Sequence, residues 1–266
     1  MNAPKKRVTT QALLNKKARD EKISMLTAYD YTMSCLLDQA GVDVLLVGDS
    51  LSMVFQGNET TIPVTLDEMI YHGKCVVRGS QSAMVVVDLP FPHGQLGWRK
   101  TLEVSARIMK ETGCGAVKLE GGAEQAETIH NLVAAGIPLI AHVGLRPQSV
   151  HAIGGYRVAR DAEKLREDAM AAQEAGAFCV LMECVPGDLA AEITGELDVP
   201  TIGIGAGAGC DGQVLVSTDM LGMTIGRVPK FVRQFADLSS QITTAAIEFN
   251  ESVKGGGFPS SSESFE

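Results

Sequence analysis

Short apolar blocks recur along the chain, and most of them stop on a group that ionises or hydrogen-bonds. Val44-Leu45-Leu46-Val47 gives way to Gly48-Asp49-Ser50, Met84-Val85-Val86-Val87 to Asp88, and Gly115-Ala116-Val117 to Lys118-Leu119-Glu120. Leu139-Ile140-Ala141 ends on His142, Cys179-Val180-Leu181-Met182 on Glu183, and Met25-Leu26-Thr27-Ala28 on Tyr29-Asp30. Unbroken runs rich in branched residues suit strands buried on both faces, as in parallel sheets. One acid after one strand means little, because such an acid is commonly a helix cap or turn residue. A series of them, on parallel strands that close on each other, would converge on one face.

Between the blocks the spacing changes to that of helices. Thr9 to Ala18 predicts a short leading helix able to plug the bottom of a barrel, followed by strand one at about 23 to 28 and a helix from Tyr31 to Ala40 stopped by Gly41. Gly48 is expected to free the backbone for a sharp turn that aims Asp49 and Ser50 at one space. After a polar loop from Gln56 to Thr65, helices are predicted at about 66–79 and 98–112, flanking strand three, which ends at Asp88. Strand four lies near 115–119 with a helix to about Ala135, and strand five spans 138–142. An amphipathic helix from Asp161 to Ala175, strand six at 178–183, a helix at roughly 187–197 and strand seven at 201–205 follow. Strand eight is placed between 214 and 225, and a final helix at about 230–253. The expected organisation is one domain over residues 1–254 with a flexible Gly/Ser-rich tail at 255–266. Strictly alternating strand and helix predicts a parallel sheet with right-handed crossovers. An open sheet concentrates its ligand at one switch point, whereas polar tips on nearly every strand favour a closed α/β ring, a (β/α)₈ TIM barrel.

Composition narrows the function. With 266 residues, 45% of them hydrophobic, the chain can bury a full core, and a formal charge of −9 argues against nucleic acid as partner. The six cysteines form no C-x-x-C pair and sit in or beside apolar runs, as free thiols do in a reducing cytoplasm. No apolar run approaches the ~18 residues of a membrane span, and no hydrophobic stretch follows the basic Lys5-Lys6-Arg7, so neither membrane nor secretory signal is expected.

The tips themselves suggest chemistry. Asp49, Asp88 and Glu120 form an oxygen-only set of the kind that suits Mg²⁺, although each alone also reads as a cap or solvated loop residue. Lys118 and Glu120, two apart on a strand, share a face, either as an inward ion pair or as a strand end reaching solvent. His142 reads as a ligand, an acid or, taken alone, most simply a packed core histidine. Glu183 follows four apolar residues, so burial would raise its pKa and make it a base near neutrality. Gly203 to Gly207 reads better as a tight turn with close approach than as a phosphate cradle.

Taken together these segments resemble the ketopantoate hydroxymethyltransferase family. The likeness is carried by Thr27 to Asp30, Val47 to Ser50, Gly57 to Thr65, Asp88 to Phe91, Val117 to Gly122, His142 to Leu145, Pro147 to Ser149, Glu183 to Pro186, Gly203 to Gly207 and Pro229 to Phe231. They stand in one order from about residue 10 to 250. The resemblance implies a barrel of the phosphoenolpyruvate/pyruvate type, a cytoplasmic homo-oligomer, often a decamer, and dependence on Mg²⁺. It implies transfer of a one-carbon unit from 5,10-methylenetetrahydrofolate to 3-methyl-2-oxobutanoate through a Mg²⁺-stabilised enolate, giving 2-dehydropantoate for pantothenate. By motif, Asp49 and Asp88 would bind Mg²⁺ and substrate with Glu120 at the metal, Ser50 and Lys118 would hold the oxo acid, His142 would border it, and Glu183 would accept the proton. Pro92-His93-Gly94, Arg146 and a tail without histidine depart from the family's usual wording. Other readings are a Mg²⁺-dependent lyase or mutase on the same barrel, a barrel subunit without catalysis, and a phosphate-binding barrel.

Overall fold

In the computed structural model, which describes residues 6–265, the eight strands close into a parallel barrel in sequence order, β1 pairing with β8. The elements run α1 (Thr10–Ala18), β1 (Ile23–Thr27), α2 (Tyr31–Gln39), β2 (Val44–Val47), α3 (Leu51–Val54), α4 (Leu66–Gly79) and β3 (Met84–Asp88). They continue with α5 (Trp98–Thr112), β4 (Ala116–Glu120), α6 (Ala126–Ala134), β5 (Leu139–Gly144), α7 (Val150–Ile153) and α8 (Ala162–Glu174). The series ends with β6 (Cys179–Glu183), α9 (Gly187–Glu196), β7 (Thr201–Ile204), β8 (Gly212–Leu215), α10 (Ser217–Met220) and α11 (Leu238–Lys254). Lys5 of the basic start and Glu266 of the tail lie outside the described residues, and within the tail Ser261–Glu263 forms a 3₁₀ turn.

Alternation along each strand fills the barrel. Ile23 and Met25, Val44 and Leu46, Met84 and Val86, Ala116, Ile140, Cys179 and Leu181, Ile202 and Val214 form one buried cluster. Since successive side chains point to opposite faces, the same inward set continues two residues on to Asp88, Lys118, Glu120, His142 and Glu183. The polar tips are therefore the last inward layer of a ring whose lower layers are apolar. Leu13 of α1 belongs to the same cluster, so the leading helix caps the interior as the pattern predicts.

Two elements differ from the sequence reading. Strand eight runs earlier than 214–225, because Gly212 rather than an apolar run starts it: a Cβ there would lie 2.5 Å from Ile23 O and from Ile202 Cδ1, so closure of the ring requires glycine. The last helix starts at Leu238, not 230, because Asp237 caps it by accepting a hydrogen bond from Ser240 N. All eight strands fall in one compact unit ending at Val216, and a second unit begins at Ser217 and contains α10 and α11. Within the second unit Phe249 and Phe258 meet edge to face with ring centroids 5.5 Å apart, and α11 exposes Ile242, Ile247, Phe249 and Val253.

Candidate active site

Five neighbouring strand tips, those of β2 to β6, supply one polar cluster. Asp49, Asp88, Lys118, Glu120 and His142 each expose between 2% and 5% of their surface, and Glu183 is more open. Backbone register sets the neighbours: Asp88 lies opposite Lys118, Glu120 opposite His142, and Gly144 opposite Glu183. Lys118 Nζ approaches Asp88 Oδ1 to 3.0 Å and His142 Nδ1 to 3.2 Å. Asp88 Oδ2 accepts a hydrogen bond of 3.0 Å from Asp49 N, which joins the ends of β2 and β3. His142 Nε2 faces Glu183 Oε2 at 3.3 Å.

Glycines make this close assembly possible by leaving space. Gly48 does not adopt the left-handed angles anticipated for it; instead a Cβ there would lie 2.8 Å from Ser50 Oγ and 3.6 Å from Asp88 Oδ2. Gly144 is left-handed, at φ +90°, and its missing Cβ would sit 2.4 Å from Glu183 O. That carbonyl instead accepts a hydrogen bond from Leu145 N, tying β5 to the strand end that carries Glu183.

Charge in the cluster is unbalanced, since Asp49, Asp88, Glu120 and Glu183 share the one ammonium of Lys118. Burial, with Asp88 beside it, pushes the Asp49 carboxyl up to about 7 against the opposing pull of Lys118 and the Gln148 amide. Burial raises Glu183 to about 7 as well, with Lys118 again opposing. Glu120 is raised well above the carboxylate range by burial and by Asp49. Burial disfavours the Lys118 charge, but Asp88, Asp49 and Glu120 outweigh it and the ammonium persists. His142 is lowered well below the usual imidazole range by burial and by Lys118, so the ring is neutral. An ammonium only donates, hence Nδ1 accepts from Lys118 and the ring proton sits on Nε2, toward Glu183.

The donor set fits a hard divalent cation. Two acids on adjacent strand tips are already tied together, and the raised proton affinity of Asp49 is what a cation would relieve. Among the described residues no group of three or more His, Cys, Asp or Glu side chains could hold a metal by itself. Mg²⁺ needs no such cage, because it keeps several waters and takes one or two carboxylates.

Every tip singled out from the sequence except Asp30 reaches this cluster. Asp30 is the N-cap of α2, accepting from Met33 N. Ser50 enters through Tyr29, whose Oη lies 2.8 Å from Ser50 Oγ; Tyr29 was quoted in a motif but not assigned to the site. Gln148 was also missed. Its Nε2 donates to Asp49 Oδ2 at 2.8 Å and its backbone N to Glu120 Oε2 at 3.1 Å. Gly207, φ +75°, passes with its would-be Cβ 2.8 Å from Gly187 Cα, the close approach read from that glycine run.

The profile of the ketopantoate hydroxymethyltransferase family matches residues 7–261. The chain belongs to that family. The 3-methyl-2-oxobutanoate hydroxymethyltransferase of Rhodopirellula baltica is 58% identical, over 98% of this chain and 97% of its own length. The protein of the same name from Pelodictyon phaeoclathratiforme is 53% identical, over 97% and 96%. Among solved structures, phosphoenolpyruvate phosphomutase from Streptomyces platensis subsp. rosaceus superposes with a TM-score of 0.64 at 15% identity, covering 93% of this chain and 88% of its own. A phosphonopyruvate hydrolase in complex with oxalate and Mg²⁺ superposes at 0.60 and 13% identity, covering 96% and 92%. At such identities these neighbours share the barrel with this ketopantoate hydroxymethyltransferase family member, and their chemistry is their own.

Proposed function

We propose that the protein transfers a hydroxymethyl group to 3-methyl-2-oxobutanoate, with 5,10-methylenetetrahydrofolate as the one-carbon donor, forming 2-dehydropantoate on the route to pantothenate. The observation that carries this reading is the pairing of a base with a charge-stabilising cluster: Glu183, with a pKa raised to about 7, faces His142, and Lys118 with the acids of β2 to β4 lies on the histidine's other side.

Asp49 and Asp88 would hold Mg²⁺, with Glu120 beside them. Bound there, Mg²⁺ supplies a Lewis acid for the substrate oxygen that gains charge as the carbon acid ionises. Glu183 takes the proton from C3, a role worth on the order of 10²- to 10⁴-fold for a positioned base. His142, neutral and protonated on Nε2, borders the substrate with that nitrogen 3.3 Å from the Glu183 carboxylate and unpaired by any hydrogen bond. Lys118 keeps positive charge near the developing oxyanion while its own partners keep it protonated. Ser50, oriented by the buried Tyr29 hydroxyl, offers a hydrogen bond to the oxo acid. Water supplies the hydroxyl oxygen: hydrolysis of the folate's methylene bridge breaks both C–N bonds and releases tetrahydrofolate and formaldehyde, to whose carbon C3 bonds, and the resulting alkoxide takes up the proton removed from C3, so no covalent enzyme intermediate is needed.

We read the protein further as a cytoplasmic homo-oligomer, a decamer by family likeness. No helix among the described residues is long and apolar enough to cross a membrane. Mass-spectrometric detection of 2-dehydropantoate from both substrates, dependent on added Mg²⁺, is the expected result. Product-free incubation of folded protein with both substrates and Mg²⁺ would overturn the assignment.

A further inference from the structure

Gln148 is an uncharged side chain that bonds directly to this acid cluster and belongs to none of the strands. It sits on the 3₁₀ turn Pro147–Ser149, in the connection from β5 to α8, and is buried. Its Nε2 donates both hydrogens, to Asp49 Oδ2 at 2.8 Å and to Leu89 O at 2.9 Å. Its backbone N donates to Glu120 Oε2 at 3.1 Å. One residue therefore reaches from the β5 side to the tip of β2, to the first residue after β3 and to the tip of β4.

The chemistry fixes which way the amide points. Turned over, its oxygen would face a carboxylate and a carbonyl, acceptor against acceptor, so the donor assignment follows from the partners. The Leu89 carbonyl anchors the amide while its second hydrogen holds Asp49. An Asn is one methylene too short to span both, and a Lys or Arg would place a competing charge where the acids collect a cation. A neutral, two-donor group of this length is what the position demands.

We propose that Gln148 is a positioning residue that fixes Asp49 and Glu120 relative to one another and so sets the affinity of the site for a divalent cation. The inference rests on the reading of Asp49 and Asp88 as cation-holding groups. It goes beyond that reading by assigning the organising role to a residue that touches neither substrate nor cation. Asp49 and Glu120 stand on β2 and β4, which are not neighbours in the sheet, with β3 between them. Backbone pairing alone leaves the rotamers of those two carboxylates free, and the loop residue removes that freedom. Partners of this kind typically contribute 10- to 100-fold to metal affinity.

The test is Mn²⁺ binding to the whole chain without substrate, followed by electron paramagnetic resonance and calorimetry at about pH 8, above the raised value of Asp49. Gln148→Met keeps length and volume and removes the donor; Gln148→Ala, run in parallel, removes the amide without crowding. Far-UV circular dichroism and melting without metal check folding. The expected result is about 10- to 100-fold weaker Mn²⁺ binding in the folded variants. The pH midpoint of binding should also move upward, which a purely structural role would not produce. Wild-type binding with a folded variant within about twofold of it overturns the inference and leaves the cation reading intact. A wild type that binds no Mn²⁺ removes the cation reading and the inference with it. Failure of both variants to fold would make Gln148 a structural support and overturn the positioning role.

Discussion

A carboxyl group at a buried strand tip has a proton affinity set by its surroundings, and here that has measurable consequences. Burial, with other acids beside it in the case of Asp49, raises Asp49 and Glu183 to about 7 from ordinary values of 3.8 and 4.5. The folded state thus binds protons that the unfolded chain has released. Between those ordinary values and about 7 the metal-free protein loses stability as pH rises, and above about 7 that loss is complete. Metal-free protein should melt at a lower temperature at about pH 8 than at about pH 5.5, and Mg²⁺ should raise the melting temperature more at the higher pH. Differential scanning calorimetry reads both, and a larger Mg²⁺ effect at the lower pH would contradict the electrostatic account. At this scale the ionisable groups were legible, because acids, a lysine and a histidine after apolar runs stand out. Gln148 and Tyr29 were not, since a neutral amide in Pro147-Gln148-Ser149 has the look of an ordinary turn and its partners lie on strands far away in sequence.

At the scale of elements, glycine and small helices decide where the tips stand. Gly144→Ala adds a Cβ 2.4 Å from Glu183 O at a left-handed φ, so β6 must shift at its Glu183 end. The expected cost is about 1–3 kcal/mol in urea unfolding, together with slower proton abstraction. Leu13→Ala is the contrasting case. It opens the apolar bottom of the barrel, far along the strands from the tips, and should cost about 2–5 kcal/mol with kcat unchanged. A large kcat effect of Leu13→Ala would mean that bottom and top are coupled. Strands β2 to β6 were readable because each opens on an apolar run. The eighth was misplaced because Gly212-Gln213-Val214-Leu215 has few apolar residues, its glycine being required by the close backbone of β1. The late start of α11 is set by its cap, Asp237, whose carboxylate accepts from Ser240 N.

For the whole molecule, closure of the ring is what converts five separate strand endings into one site, and that closure was inferable only from their number, never from any one of them. The exposed Ile242, Phe249 and Val253 of α11 support self-association, and light scattering should give a mass well above the 28.2 kDa of one chain. An active, monodisperse monomer would refute it. The central claim is that one ring holds a base and a cation-stabilised oxyanion site around the same carbon acid. Exchange of the C3 hydrogen of 3-methyl-2-oxobutanoate in D₂O, followed by NMR without folate, isolates that step. Wild-type protein with Mg²⁺ should exchange it, and Glu183→Gln should be slower by about 10²-fold or more while still binding the oxo acid in the presence of Mg²⁺. Exchange at the wild-type rate in Glu183→Gln, or exchange indifferent to Mg²⁺, would contradict the account.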